Sequence, residues 1–252
     1  AMVGTQAAAR MSFERLYRAL AAHRSPLRAG LITAFRLMPT PDPGKMRAMV
    51  DEWTARNMEP STAASRRLVA QQAAAGAGPR MRERVWVALV GAYLRRRRWP
   101  APNLAIAAVD TADGEVRLLR HDATVTPARA VAASAAVPGM FPPVGIGGRA
   151  YMDGGTRSTT NADLALGHRR VLLLVDHAPF AEGEGPLTRA CIDREVAALR
   201  ASGARVEVVE PDGAALAAVG ARAFDPTGMR DAARAGRSQG EREAARIAAL
   251  WG

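Results

Sequence analysis

Apolar residues recur at helical spacing through much of the first hundred positions. Phe13, Leu16, Tyr17 and Leu20 form one stripe behind Ser12, a helix N-cap. Pro39, Pro41 and Pro43 break the chain, and Met46, Met49, Val50 and Trp53 begin a second stripe. Both stripes are read as core faces of helices. The texture changes at Trp99-Pro100. Asn103 to Val109 reads as a short buried strand, Asp113-Gly114 as a tight turn, and Glu115 to Arg120 as a hairpin partner. Thr126-Pro127 starts a helix, with a threonine cap and proline at the first helical position, and this helix stops before Pro138.

From there strand and helix alternate. Arg149 to Met152 and Val171 to Val175 are of strand length, Leu187 to Ala201 is a helix ended by Gly203, and Arg205 to Val209 is a further strand. Gly228 to Trp251 reads as a long terminal helix. The alternation predicts an α/β fold with a mostly parallel sheet covered by helices. No internal repeat and no linker stand out, so residues 1–252 are taken as a single domain.

Composition changes this picture little. Hydrophobic residues make up 48% of the 252 and aromatics only 5%, so the core rests on Leu, Val, Ala and Met. The formal charge is +11, and Lys45 is the lone lysine among 35 basic residues. Arginine spread along the whole chain points to compositional bias rather than a nucleic-acid site, and no aromatic interleaving accompanies it. The run Arg95 to Arg98 reads as a solvated helix end, with a lipid-headgroup patch as the sharper alternative. Cys191 is the one cysteine, so no internal disulfide and no cysteine metal cluster can form. The uncharged stretch around Val131 is interrupted by Pro138, Pro142 and Pro143, unlike a membrane helix. A cytoplasmic location, with peripheral contact to an anionic membrane surface, is the expectation.

The chemistry concentrates between Ala132 and Asp163. Strand Arg149–Met152 delivers Asp153 into Gly154-Gly155, where glycines let the backbone bend and keep bulk from the carboxylate. Taken alone this is an Asp-Gly turn. It is accompanied by Ala133-Ser134-Ala135-Ala136-Val137-Pro138, Phe141-Pro142-Pro143-Val144, Tyr151-Met152-Asp153-Gly154-Gly155 and Asn161-Ala162-Asp163, in that order. The set resembles the patatin-like phospholipase family. The strand ending at Asp110 fits the same pattern. Pro211-Asp212 and the tail Leu250-Trp251 resemble actinobacterial-type members.

The resemblance implies a three-layer α/β/α sandwich and a Ser–Asp dyad that hydrolyses lipid esters without a cofactor. The serine of such a dyad sits in G-x-S-x-G at a strand-to-helix turn. A glycine-rich loop supplies oxyanion N–H groups. Asp153 would be the general base, with Gly154 and Gly155 supporting its loop. The departure is the serine. Ala1 to Ala7 resembles the helix that follows the family's elbow, so the first strands, oxyanion loop and nucleophile are expected to be lacking from this sequence. Uncovered strand edges would then favour association or poor solubility. A literal G-x-S-x-G does occur at Gly236-Arg237-Ser238-Gln239-Gly240, but the residues before it read as helix, which makes Ser238 a decoy. Ser134 and Ser158 read as structural. His23, His121, His168 and His177 lack metal or triad spacing. A catalytically inactive lipid- or membrane-binding relative is the alternative reading, and no nucleic-acid partner is expected.

Overall fold

The computed structural model describes residues 62–75, 81–94, 98–122, 124–175, 186–219 and 228–252. The stripes at 13–20 and 46–53, the proline cluster between them, and Arg95 to Arg97 lie outside the described residues. The described chain divides into two compact units, one running to Thr159 and the other from Thr160 onward.

The first unit opens with helices α1 (Ala63–Ala75) and α2 (Glu83–Leu94). Strands β1 (Ile106–Asp110) and β2 (Val116–Leu119) follow, then helix α3 (Pro127–Ser134) and strands β3 (Val144–Ile146) and β4 (Arg149–Asp153). The sheet order is β2-β1-β4-β3, and every pairing in it is antiparallel. The sequence expectation of a mostly parallel sheet is therefore corrected for this unit, while the α/β class stands. The reason is local turn chemistry. At the β1–β2 turn, Gly114 N–H donates to the Asp110 carbonyl and Glu115 N–H to the Asp113 carboxylate. Between β3 and β4, Gly147 and Gly148 have φ of 58° and 77°. Two successive left-handed residues make the turn that best matches strand twist, and side chains resist that conformation.

Helix α3 packs against β1, β3 and β4 and against α2. Thr126 caps it as expected, its hydroxyl accepting from Arg129 N–H at 3.3 Å, with Pro127 in the first turn. Ala130, Val131, Ala132 and Ala133 are fully enclosed, and the run of alanines lets the helix lie close on the sheet. From α2, Trp86, Val90 and Leu94 face inward at four-residue spacing. Trp86 Nε1 donates to the Ala132 carbonyl at 2.9 Å, and its ring stacks on Phe141 with centroids 4.1 Å apart.

The second unit contains β5 (Arg170–Leu174), α4 (Pro186–Ala201), β6 (Arg205–Val209), α5 (Gly213–Val219) and α6 (Met229–Trp251). Here β5 and β6 pair in parallel, as strand–helix–strand alternation predicts. Ile192, Val196 and Leu199 of α4 pack with Leu173, Val175 and Val206 in its core. Helix α4 ends at Ser202-Gly203, where Ala204 N–H donates back to the Leu199 carbonyl.

Candidate active site

Asp153 closes β4, directly opposite Ala108 of β1. Its backbone is tied down on both sides. Its N–H donates to the Ala136 carbonyl just past α3 at 3.0 Å, and its carbonyl accepts from Thr156 Oγ1 at 2.7 Å. The chain then turns through one 3-10 turn, Gly154–Thr156, for which Asp153 is the N-cap. Its Oδ1 accepts from Gly155 N–H at 2.6 Å. The side chain is thus oriented by the backbone of the loop that follows it.

The two glycines have separate reasons to be glycine. A Cβ on Gly154 would stand 2.6 Å from the Ala107 carbonyl oxygen, so only glycine lets the loop press against β1. A Cβ on Gly155 would stand 3.0 Å from Asp153 Oδ1, crowding the oxygen that its own N–H holds. Thr156 and Ser158 are both buried behind the loop, consistent with a holding role for Ser158.

Burial pushes the Asp153 carboxyl up to about 6, against the opposing pull of the Gly155 N–H. Among the described residues no basic side chain forms an ion pair with it. Asp110, the last residue of β1, has an ion-pair partner. It is fully buried, but Arg149 pairs with it and Ala112 N–H donates to it at 2.9 Å. Arg149 also reaches Asp113 at 2.7 Å, tying the β1–β2 turn to the start of β4. One sheet therefore carries an ion-paired carboxylate at Asp110 and, at Asp153, one raised to about 6. A carboxyl with a raised pKa at the end of a strand suits proton transfer.

The other expected residues fall as follows. Ser134 is the last residue of α3. Asn161 adopts the left-handed conformation (φ 50°) and caps the 3-10 turn Ala162–Ala165 in the second unit. That turn is held by Glu195, a buried carboxylate that accepts from Ala162 N–H at 2.8 Å and Thr160 Oγ1 at 2.5 Å. Ser238 lies inside α6, where its Oγ accepts from Arg242 Nη1 at 2.7 Å. Neither a strand before it nor a sharp turn is present, so the literal G-x-S-x-G there is no nucleophile elbow. His121 and His168 are exposed, and His168 Nδ1 lies 3.0 Å from the Ala165 carbonyl. His23 and His177 lie outside the described residues. Among the described residues no group of side chains could hold a metal, and no helix is long and apolar enough to cross a membrane.

Sequence reasoning passed over Arg149, Glu195 and the Trp86–Phe141 pair. Each acts on a partner distant in sequence, and spacing carries no signal for such contacts.

The first unit is an α/β fold with a loop-held carboxylate at the end of β4. The family model for patatin-like phospholipases matches residues 3–166, which covers the whole first unit with its Asp153 loop. The chain belongs to the patatin-like phospholipase family, whose members act on lipid substrates. No curated protein matches it.

Proposed function

We propose that this chain carries the general base of a Ser–Asp dyad that hydrolyses carboxylic esters of lipids, and that Asp153 is that base. The observation that supports it is the Asp153 carboxyl itself. One oxygen is oriented by Gly155 N–H, and burial brings its pKa to about 6, within reach of a proton-accepting role at neutral pH. In the reaction, the serine Oγ forms a bond to the ester carbonyl carbon while Asp153 takes the hydroxyl proton. The carbonyl electron pair moves to oxygen, where backbone N–H groups would stabilise it. Collapse breaks the bond to the alcohol, which leaves with the proton from Asp153. Water then attacks the acyl carbon while the same carboxylate takes its proton; the bond to serine Oγ breaks, the serine regains that proton from Asp153, and the fatty acid is released.

The serine of this dyad is assigned to a residue outside the present sequence, because the single G-x-S-x-G of these 252 residues lies within α6. The test is hydrolysis of a short-chain p-nitrophenyl ester. It compares this chain with a form extended through the upstream reading frame, each with Asp153 and with Asp153→Asn. The expected result is turnover by the extended form alone, lost by at least about a hundredfold in Asp153→Asn, the low end for a general base. Turnover that survives Asp153→Asn would remove Asp153 from the mechanism. Turnover by the present chain alone would show that the serine lies within it.

A further inference from the structure

The two strands of the second unit run parallel, so their first residues lie side by side. Arg170 of β5 is the register partner of Arg205 of β6, and Arg205 N–H donates to the Arg169 carbonyl at 2.9 Å. Two helices end at the same place. Helix α4 leads into β6 through Ser202-Gly203, with Arg200 in its last turn. Helix α6 is tied there by its final turn, since Arg205 Nη2 donates to the Ala249 carbonyl at 2.8 Å, and Trp251 closes that helix. Leu166, shortly before β5, opens an exposed run that continues to Arg170.

The charge at this end is not neutralised. Arg169, Arg170, Arg200 and Arg205 are all exposed, and among the described residues none of them pairs with a carboxylate. In the same unit Arg189, Arg242 and Arg246 do pair. Residues 164–170, 196–206 and 244–252 contain no Asp or Glu. The bonds from Arg205 to Ala249 and from Arg200 Nη2 to Val206, at 3.3 Å, go to neutral carbonyls, so they hold the guanidinium groups without cancelling their charge. Like charges in register cost free energy unless an anion lies against them. Apolar surface accompanies the cations, with Leu166 50% and Trp251 52% exposed. Guanidinium groups match phosphates, and an indole beside them suits the headgroup level of a bilayer, with alkyl groups just below. A nucleic acid would use the arginines and leave Leu166 without a role, because its bases stack on successive aromatic rings.

We propose that this end of the second unit is a docking surface for an anionic lipid bilayer. Arg169, Arg170, Arg200 and Arg205 would meet the headgroup phosphates, with Leu166 and Trp251 inserted beside them. The surface does not involve Asp153 and does not rest on the Ser–Asp reading.

The experiment is flotation of the 252-residue chain with vesicles of phosphatidylcholine alone, or of equal parts phosphatidylcholine and phosphatidylglycerol. Flotation is expected with the anionic vesicles only, and it should weaken as salt rises. Arg169→Gln combined with Arg170→Gln should lower the partition coefficient by about fivefold for each charge removed. Arg189→Gln combined with Arg237→Gln removes the same charge from ion-paired positions elsewhere in the unit, and should change it by less than about twofold. Leu166→Gln should weaken flotation severalfold. Vesicles with brominated acyl chains should quench tryptophan fluorescence, and Trp251→Phe should remove most of that quenching while the protein still floats. All these positions are exposed, and far-ultraviolet circular dichroism would verify that each variant is folded. Equal flotation with neutral vesicles, an equal loss in the Arg189 and Arg237 control, or quenching that survives Trp251→Phe would each overturn the assignment. So would a short DNA duplex bound more tightly than the vesicles and released by the Arg169 and Arg170 substitutions, which would make this a nucleic-acid face. Neither flotation nor quenching requires turnover, so failure here and failure of the Asp153 reading are told apart.

Discussion

Asp153 and Asp110 lie on neighbouring antiparallel strands, Asp153 opposite Ala108 and Asp110 opposite Tyr151, and they differ in their partners. Asp110 has Arg149, whereas Asp153 is partly buried and has a backbone N–H. The consequence can be read in stability as well as in catalysis. An aspartate in an unfolded chain titrates near 3.9, and folded Asp153 near 6. Below about pH 4 both states hold the proton. Between about pH 4 and 6 the folded chain keeps a proton that the unfolded chain has lost, so stability falls as pH rises through this window. The full shift of about two units corresponds to at most about 3 kcal/mol above pH 6. Asp153→Asn keeps an acceptor for Gly155 N–H and cannot ionise. Urea midpoints of the two proteins should therefore agree at pH 4, and the variant should be more stable by about 2–3 kcal/mol at pH 7. Parallel pH profiles would show that Asp153 is not held in a desolvated site.

Among elements, α3 does most to place this carboxylate. It lies on β1, β3 and β4, and the carbonyl of Ala136, just past its end, accepts from Asp153 N–H. Its start was legible in Thr126-Pro127 and its stop in Pro138, because capping and proline geometry are local. The Asp153-Gly154-Gly155 turn was legible for the same reason. The antiparallel pairing of β1 with β4 was not, since it joins Ala108 to Asp153 across 45 residues and depends on which edges meet. Nor was the clamp on the outer side of α3, where Trp86 bonds to Ala132 and stacks on Phe141. Aromatic stacking of this kind couples two residues by about 0.5–1.5 kcal/mol beyond the area they bury. A double-mutant cycle of Trp86→Leu and Phe141→Leu, followed by urea denaturation, should return a coupling in that range. Strict additivity would mean that α2 and the proline loop are fixed to α3 by burial alone.

For the whole molecule, the question is what a charge of +11 does. Many arginines are already engaged with carboxylates close to them. Arg129 pairs with Glu83, Arg117 and Arg149 with Asp113, Arg189 with Glu210, Arg242 with Asp212, and Arg246 with both Glu207 and Glu243. Exposed pairs of this sort contribute about 0–1 kcal/mol each and weaken as salt screens them. They also place a carboxylate beside each of these guanidinium groups, where a nucleic-acid phosphate would otherwise sit. Duplex DNA should therefore bind only through the diffuse charge excess, with an affinity no tighter than the roughly 1–100 µM of non-specific complexes at physiological salt. A fluorescence-anisotropy titration of a short duplex at two salt concentrations would measure this. Submicromolar affinity at physiological salt would require a phosphate-binding face that the pairing of these arginines does not provide, and the basic excess would then have to be read as functional rather than compositional.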